Sequence, residues 1–192
     1  MTSTTLRQLN GFDETPAVLA DSTLILVDYQ NTYTRGVMEL TGWEQALENA
    51  AELLSAARAS GATVIHVIND GGPDTPYDIT ADIGRIHPTV APTADETVVV
   101  KTVPNAFVGT NLGDLVDAAG NETVIIAGFM THMCVTFTTE GAFLRGNKPT
   151  VVADACATRP LAEVTAPQLH HSALATLADL YAVVTTNAEL PR

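Results

Sequence analysis

Six short apolar runs, separated mostly by stretches with helical spacing, constrain this chain more than any other feature. The runs fall at residues 23–27, 62–68, 97–100, 123–127, 149–153 and 182–185. Parallel neighbours in a sheet need crossover connections long enough for a helix, so this alternation predicts an α/β fold around a mostly parallel sheet. Between the runs, Ala46, Leu47, Ala50, Leu53, Leu54 and Ala57 recur at three- and four-residue steps. That period predicts a helix over 43–60, with Gly61 as its C-terminal cap. Shorter helices are expected at 110–119, at 131–145 with Thr131 as N-cap, and at 167–180 with Pro167 in the first turn.

Three of the runs end in reactive chemistry. Leu24-Ile25-Leu26-Val27 meets Asp28, and Val98-Val99-Val100 meets Lys101. The fourth run breaks at Gly128 and delivers Cys134 into the start of a predicted helix. Free backbone N–H groups and the helix dipole there favour thiolate over thiol and suit a developing oxyanion. Three successive valines suggest a strand buried on both faces, where a terminal ammonium needs a partner, and Asp28 is a natural one. Ligands of open parallel sheets sit at the carboxyl ends of strands, so the three residues can converge although far apart in sequence. Cys156 lacks such a setting and reads as structural.

The formal net charge is −13, with a pI near 4.5. Nucleic acid and anionic membranes would be repelled, leaving a small molecule as the expected partner, and the balance is compatible with a cationic one. No apolar run reaches the ~18 residues of a membrane helix, and residues 1–16 are polar and acidic rather than signal-like. A cytoplasmic protein is expected. Two cysteines make no disulfide framework, and neither they nor the five histidines show metal-ligand spacing, so no metal or cofactor is expected. The chain reads as one domain over 1–192, with an N-terminal extension at 1–21. Its longest irregular segment, 69–96, is rich in Gly and Pro and of a size suited to a lid.

Taken together, Leu26-Val27-Asp28-Tyr29-Gln30-Asn31, Val100-Lys101 followed by Pro104-Asn105-Ala106-Phe107, and Gly128-Phe129-Met130-Thr131-His132-Met133-Cys134-Val135 resemble the isochorismatase-like cysteine hydrolases. The resemblance spans roughly residues 22–184. It implies a three-layer α/β/α domain with a six-stranded, mostly parallel, Rossmann-like sheet, and an Asp28–Lys101–Cys134 triad. It also implies a cis peptide between Phe129 and Met130, an oxyanion hole formed by the N–H groups of Met130 and Cys134, and a homo-oligomer, dimer or tetramer. Tyr33, Phe107, Gln30 and His132 are candidate pocket residues.

Two departures narrow the expected activity. The metal-binding Asp-x-His motif of the family's nicotinamidases is absent from Asn69-Asp70-Gly71-Gly72-Pro73-Asp74, and Thr32 replaces the usual acidic residue after Gln-Asn. Isochorismatases proper, which cleave a vinyl ether, lack the nucleophilic cysteine. The chain therefore resembles the amide-hydrolysing branch, acting on an amide, lactam, ureide or carbamoyl group through a thioester. Vinyl ether hydrolysis with Cys134 a bystander, or a non-catalytic redox-sensing or structural subunit, are the alternatives.

Overall fold

A computed structural model describes residues 3–192. Its strands are β1 (Thr23–Val27), β2 (Thr63–Asn69), β3 (Thr97–Lys101), β4 (Thr123–Gly128), β5 (Lys148–Val152) and β6 (Val183–Thr185). Its helices are α1 (Leu6–Leu9), α2 (Trp43–Ser60), α3 (Leu112–Ala119), α4 (Thr136–Leu144) and α5 (Ala166–Thr176). All six strands are parallel, in the order β3-β2-β1-β4-β5-β6, and helices flank the sheet. The chain winds outward from β1 to β3, then returns to lay β4 against the other side of β1. That reversal makes β1/β4 the switch point, where carboxyl-end loops part and leave a crevice.

The central elements follow from their composition. Every residue of β1 is buried, as continuous aliphatic runs in parallel sheets require. In α2 the buried residues are Ala46, Leu47, Ala50, Leu53, Leu54 and Ala57, and Gly61 closes the helix at φ +76°. No helix among the described residues is long and apolar enough to cross a membrane.

Two expectations need correction. β3 is an edge strand paired with β2 alone, so it is not buried on both faces. Val98 and Val100 are 38% and 45% exposed while Val99 is buried. Thr131 does not cap the helix before Cys134. Met130 holds that position with extended backbone, and the first turn, Thr131–Val135, is a wide one in which the Val135 N–H donates to the Met130 carbonyl (3.3 Å). Thr131 Oγ1 is committed instead to His170 Nδ1 on α5 (2.9 Å). α5 starts from a capping box between Thr165 and Gln168, a signal present in the sequence but not read there.

The N-terminal segment also carries structure not expected of it. Thr5 and Gln8 form a capping box on α1, and the Ala17 N–H donates to Thr150 Oγ1 on β5 (3.0 Å). Residues 1 and 2 of the expected extension lie outside the described residues. The segment after β2 is irregular but tethered. Gln30 donates to the carbonyls of Asn69 and Gly84 (2.9 and 2.7 Å), and Glu96 closes the far end on Arg58 and His66.

Candidate active site

Asp28, Lys101 and Cys134 meet at the carboxyl end of the sheet. Asp28 leaves β1 with a left-handed backbone, φ +53°, uncommon for a residue other than glycine, and its N–H donates to the Val67 carbonyl (2.9 Å). Lys101 comes from β3, two strands and about 10 Å away at the usual spacing, a gap only a long side chain bridges. Its Nζ lies 2.7 Å from Asp28 Oδ2 and donates to Cys134 Sγ (3.4 Å) and to Asn69 Oδ1 (3.2 Å). Asn69 is the register partner of Lys101, and its own N–H donates to Gln30 Oε1 (3.0 Å). The ammonium is thus aimed by a chain running from Gln30 through Asn69.

Burial sets the protonation states. The side chains of Asp28 and Lys101 are wholly inaccessible. Burial raises the Asp28 pKa, with the neighbouring ammonium pulling it partway back. The Cys134 thiol is pushed up to about 12, first by burial and then by the Asp28 carboxylate, against the opposing pull of Lys101. Burial and the Asp28 carboxylate thus favour the thiol, against the thiolate preference expected of a helix start. Both Asp28 oxygens are buried without a hydrogen bond of ordinary geometry among the described residues, and only Oδ2 has the ion contact with Lys101. A carboxylate with free lone pairs beside a neutral thiol is arranged to take its proton when the sulfur attacks.

The turn before the cysteine is tightly built. Gly128 sits at φ +155°, and a Cβ there would lie 2.1 Å from the Val27 carbonyl oxygen. The Phe129–Met130 peptide is cis. The Phe129 N–H donates to Val27 (2.9 Å) and the Thr131 N–H to Ala157 (3.0 Å), fixing the turn on both sides. The Met130 carbonyl accepts from Met133 and Val135, whereas the Met130 N–H has no acceptor among the described residues. An N–H without an acceptor in the turn that leads to the cysteine is available to an oxyanion.

The other candidates divide. Tyr33 is buried next to the site, its ring 5.8 Å from that of Phe129, and its hydroxyl donates to Tyr77 (3.4 Å). Burial, Asp28 and Cys134 all raise the Tyr33 phenol. Gln30 is a strut rather than a pocket wall, since its amide is committed to the backbone of Asn69 and Gly84. His132 Nδ1 pairs with Thr158 Oγ1, and burial, with the Arg159 guanidinium behind it, lowers its pKa. Phe107 is partly buried against the core, and no contact with a triad residue is recorded for it among the described residues. Its ring packs under the Arg145 guanidinium (5.4 Å), which follows the end of α4.

Two residues escaped sequence reasoning. Asn69 was visible only as part of an absent metal motif. Arg159 lies two residues past Ala157, the backbone partner of the Cys134 turn. It is the cation that favours ionised Tyr77, whose phenol is raised first by burial and also by Cys134 and Asp28. Its Nε is buried without a hydrogen-bond partner, and no carboxylate lies within 4.0 Å among the described residues. Cys156 donates to the Val152 carbonyl (3.3 Å) away from the triad, as a structural thiol does.

A parallel sheet with a buried carboxylate, ammonium and thiol at its switch point is the framework of a small-molecule hydrolase. The chain belongs to the isochorismatase family: the isochorismatase domain model matches residues 22–189. It is similar to an isochorismatase family protein of Bacillus subtilis, 38% identical over 85% of this chain and 94% of that protein. A maleamate amidohydrolase of Pseudomonas putida is 31% identical over 74% of this chain and 72% of its own length. Among solved structures, an isochorismatase from Pseudomonas putida KT2440 superposes with a TM-score of 0.96 at 37% identity, covering 98% of this chain and 100% of that one. The family is hydrolytic and includes amide-cleaving enzymes.

Proposed function

We propose that the protein hydrolyses a small C–N bond, in an amide, lactam, ureide or carbamoyl group, through a thioester on Cys134. The observation that carries this reading is the contact set around Lys101 Nζ, 2.7 Å from Asp28 and 3.4 Å from Cys134, with the second Asp28 oxygen free. Asp28 takes the Sγ proton as the sulfur attacks the carbonyl carbon, and the N–H groups of Met130 and Cys134 receive the oxyanion. As the tetrahedral intermediate collapses, Asp28 passes the proton to the departing nitrogen and the C–N bond breaks. Water, deprotonated by Asp28, then attacks the thioester. The acid leaves and the proton returns to sulfur. Lys101 holds the Asp28 carboxylate in place and supports the thiolate that forms in each cycle. Each oxyanion donor contributes about 2.7–4 kcal/mol in enzymes of this kind.

The unpaired guanidinium of Arg159 supports an anionic group on the acyl half of the substrate. This reverses the cationic preference suggested by overall charge, since a partly buried cation that acts on Tyr77 and His132 outweighs distant surface carboxylates. A relative acting on maleamate fits the same reading.

The test is intact-protein mass spectrometry with peptide mapping after exposure to a panel of amides, lactams and ureides. Wild type is compared with Asp28→Asn, which removes the base of both acylation and deacylation, and with Cys134→Ala. An acyl mass gain on Cys134, together with lost turnover in a folded Cys134→Ala, is the expected result. Turnover that survives in Cys134→Ala, or after alkylation of Cys134, would sink the thioester route and favour vinyl ether chemistry.

A further inference from the structure

The N-terminal arm precedes the matched domain and is pinned at two places. At one, the Leu6 N–H donates to Asp179 Oδ1 (3.0 Å) and Arg7 donates to the Leu180 carbonyl (3.1 Å). At the other, the Ala17 N–H donates to Thr150 Oγ1 (3.0 Å). Between these pins the arm lines one side of a half-open cavity of about 650 Å³, with Phe143 and the start of β5 also lining it. The cavity reaches Thr123, Lys148 and Val183, the first residues of β4, β5 and β6, so it lies at the amino end of the sheet, opposite Cys134. Its volume is that of a small-molecule site.

Two polar groups on its walls have no partner among the described residues. Arg7 is 8% exposed, and its Nη atoms donate to the carbonyls of Leu180 and Asp13, while its Nε is buried with no acceptor. Asn147 presents a buried Oδ1 with no donor. Each such group carries a desolvation penalty that a complementary ligand relieves. The charged wall residues are balanced, Arg7 and Lys148 against Asp13 and Asp21. Lys148 is further paired with Glu122 (2.6 Å). An anion would satisfy Arg7 but meet two carboxylates and the Asn147 oxygen. A neutral carboxamide or lactam offers a carbonyl to Arg7 and an N–H to Asn147, and an attached ring suits the apolar surface.

We propose that the cavity under the N-terminal arm is a second small-molecule site, which binds a neutral amide or lactam carried on an apolar, ring-sized body. It stands apart from the reading of Cys134, and the two fail independently.

The test is a titration of the full chain with 2-naphthamide, followed by amide NMR. Saturable shifts are expected at the backbone N–H groups of Thr15, Ala17, Asn147 and Thr150. 2-Naphthoate, which lacks the donor and carries charge, should bind about tenfold more weakly, as should N,N-dimethyl-2-naphthamide, which lacks the N–H. Arg7→Met should weaken 2-naphthamide about tenfold. Arg7 also tethers the arm, so Asn147→Leu is the second variant: it should erase the preference for 2-naphthamide over its dimethyl analogue while leaving the spectrum folded. Shifts confined to the surroundings of Cys134, no saturable shifts at all (a cavity holding water only), tighter binding of 2-naphthoate, or an unchanged preference in Asn147→Leu would each overturn the proposal.

Discussion

Lys101 illustrates how a single residue's meaning depends on what the fold places beside it. In sequence it is an ammonium ending a run of valines; in the structure it is a buried cation shared by Asp28, Asn69 and Cys134. Replacing it with Met removes the charge that restrains both neighbouring pKa values. The Cys134 thiol, already pushed up to about 12, rises further. Iodoacetamide labelling at a fixed pH below that value should then slow about tenfold per unit of rise. Stability responds as well. Asp28 has a raised folded pKa, so its contribution is lost as pH climbs through that value, and the loss is larger without the ammonium. Lys101→Met should therefore unfold at lower urea than wild type, with a wider gap at pH 8 than at pH 5. Breaking a buried pair typically costs about 3–5 kcal/mol. An unchanged labelling profile would remove Lys101 from the site. The triad residues were legible because each ends an apolar run with incongruous polarity. Asn69 and Arg159 were not, because one acts through cross-strand register and the other through lacking a partner, and neither property is local in sequence.

Elements position these residues, and two junctions can be tested directly. At the β4 exit, Gly128 lies against the Val27 carbonyl, one residue before Asp28. A Cβ at 2.1 Å from a backbone oxygen cannot be accommodated without moving β1 or the cysteine turn. Gly128→Ala should cost about 1–3 kcal/mol or more of stability. If the chain still folds, a displacement near 1 Å should lower kcat/KM about 100-fold. A fully active, equally stable variant would mean that the turn has slack its contacts do not reveal. At the other junction, Glu96 joins three elements through Arg58 of α2, His66 of β2 and the Thr93 N–H. Its pKa is lowered to about 2, chiefly by hydrogen bonding to Arg58. A depressed carboxylate stabilises above its unfolded pKa and loses that contribution as pH falls through the folded one. Glu96→Gln should therefore flatten the decline in melting temperature between about pH 4.5 and 2, while lowering it at pH 7. A wild-type acid limb in that variant would assign the decline to other groups. Element identity was largely readable, since hydrophobic period marks α2 and continuous aliphatic runs mark β1 and β4. Strand order was not. Three valines look alike at a sheet centre and at an edge, and only pairing placed β3 outermost with Val98 and Val100 exposed.

For the whole molecule, charge is the property that acts at a distance. A net charge of −13 surrounds a site whose own Asp28–Lys101 pair is neutral, with Arg159 as a nearby cation that has no ion-pair partner among the described residues. The two effects have different ranges. The summed negative field extends over a Debye length of about 30 Å at 0.01 M salt but only about 8 Å at 0.15 M. A guanidinium in contact with a bound carboxylate, partly shielded from water, is screened far less. For an amide substrate bearing a carboxylate, kcat/KM should therefore rise as sodium chloride is raised between those concentrations. It should fall for a cationic analogue and stay flat for a neutral one. Arg159→Met should lower kcat/KM for the anionic substrate about tenfold at every salt concentration, mainly through KM, and leave the slope unchanged. A slope that disappears with Arg159 would mean that this residue, rather than the molecular surface, sets the long-range field at the site. An unaffected KM would mean that the guanidinium does not meet the substrate, and the anionic acyl group would have to be abandoned while the thioester route stood.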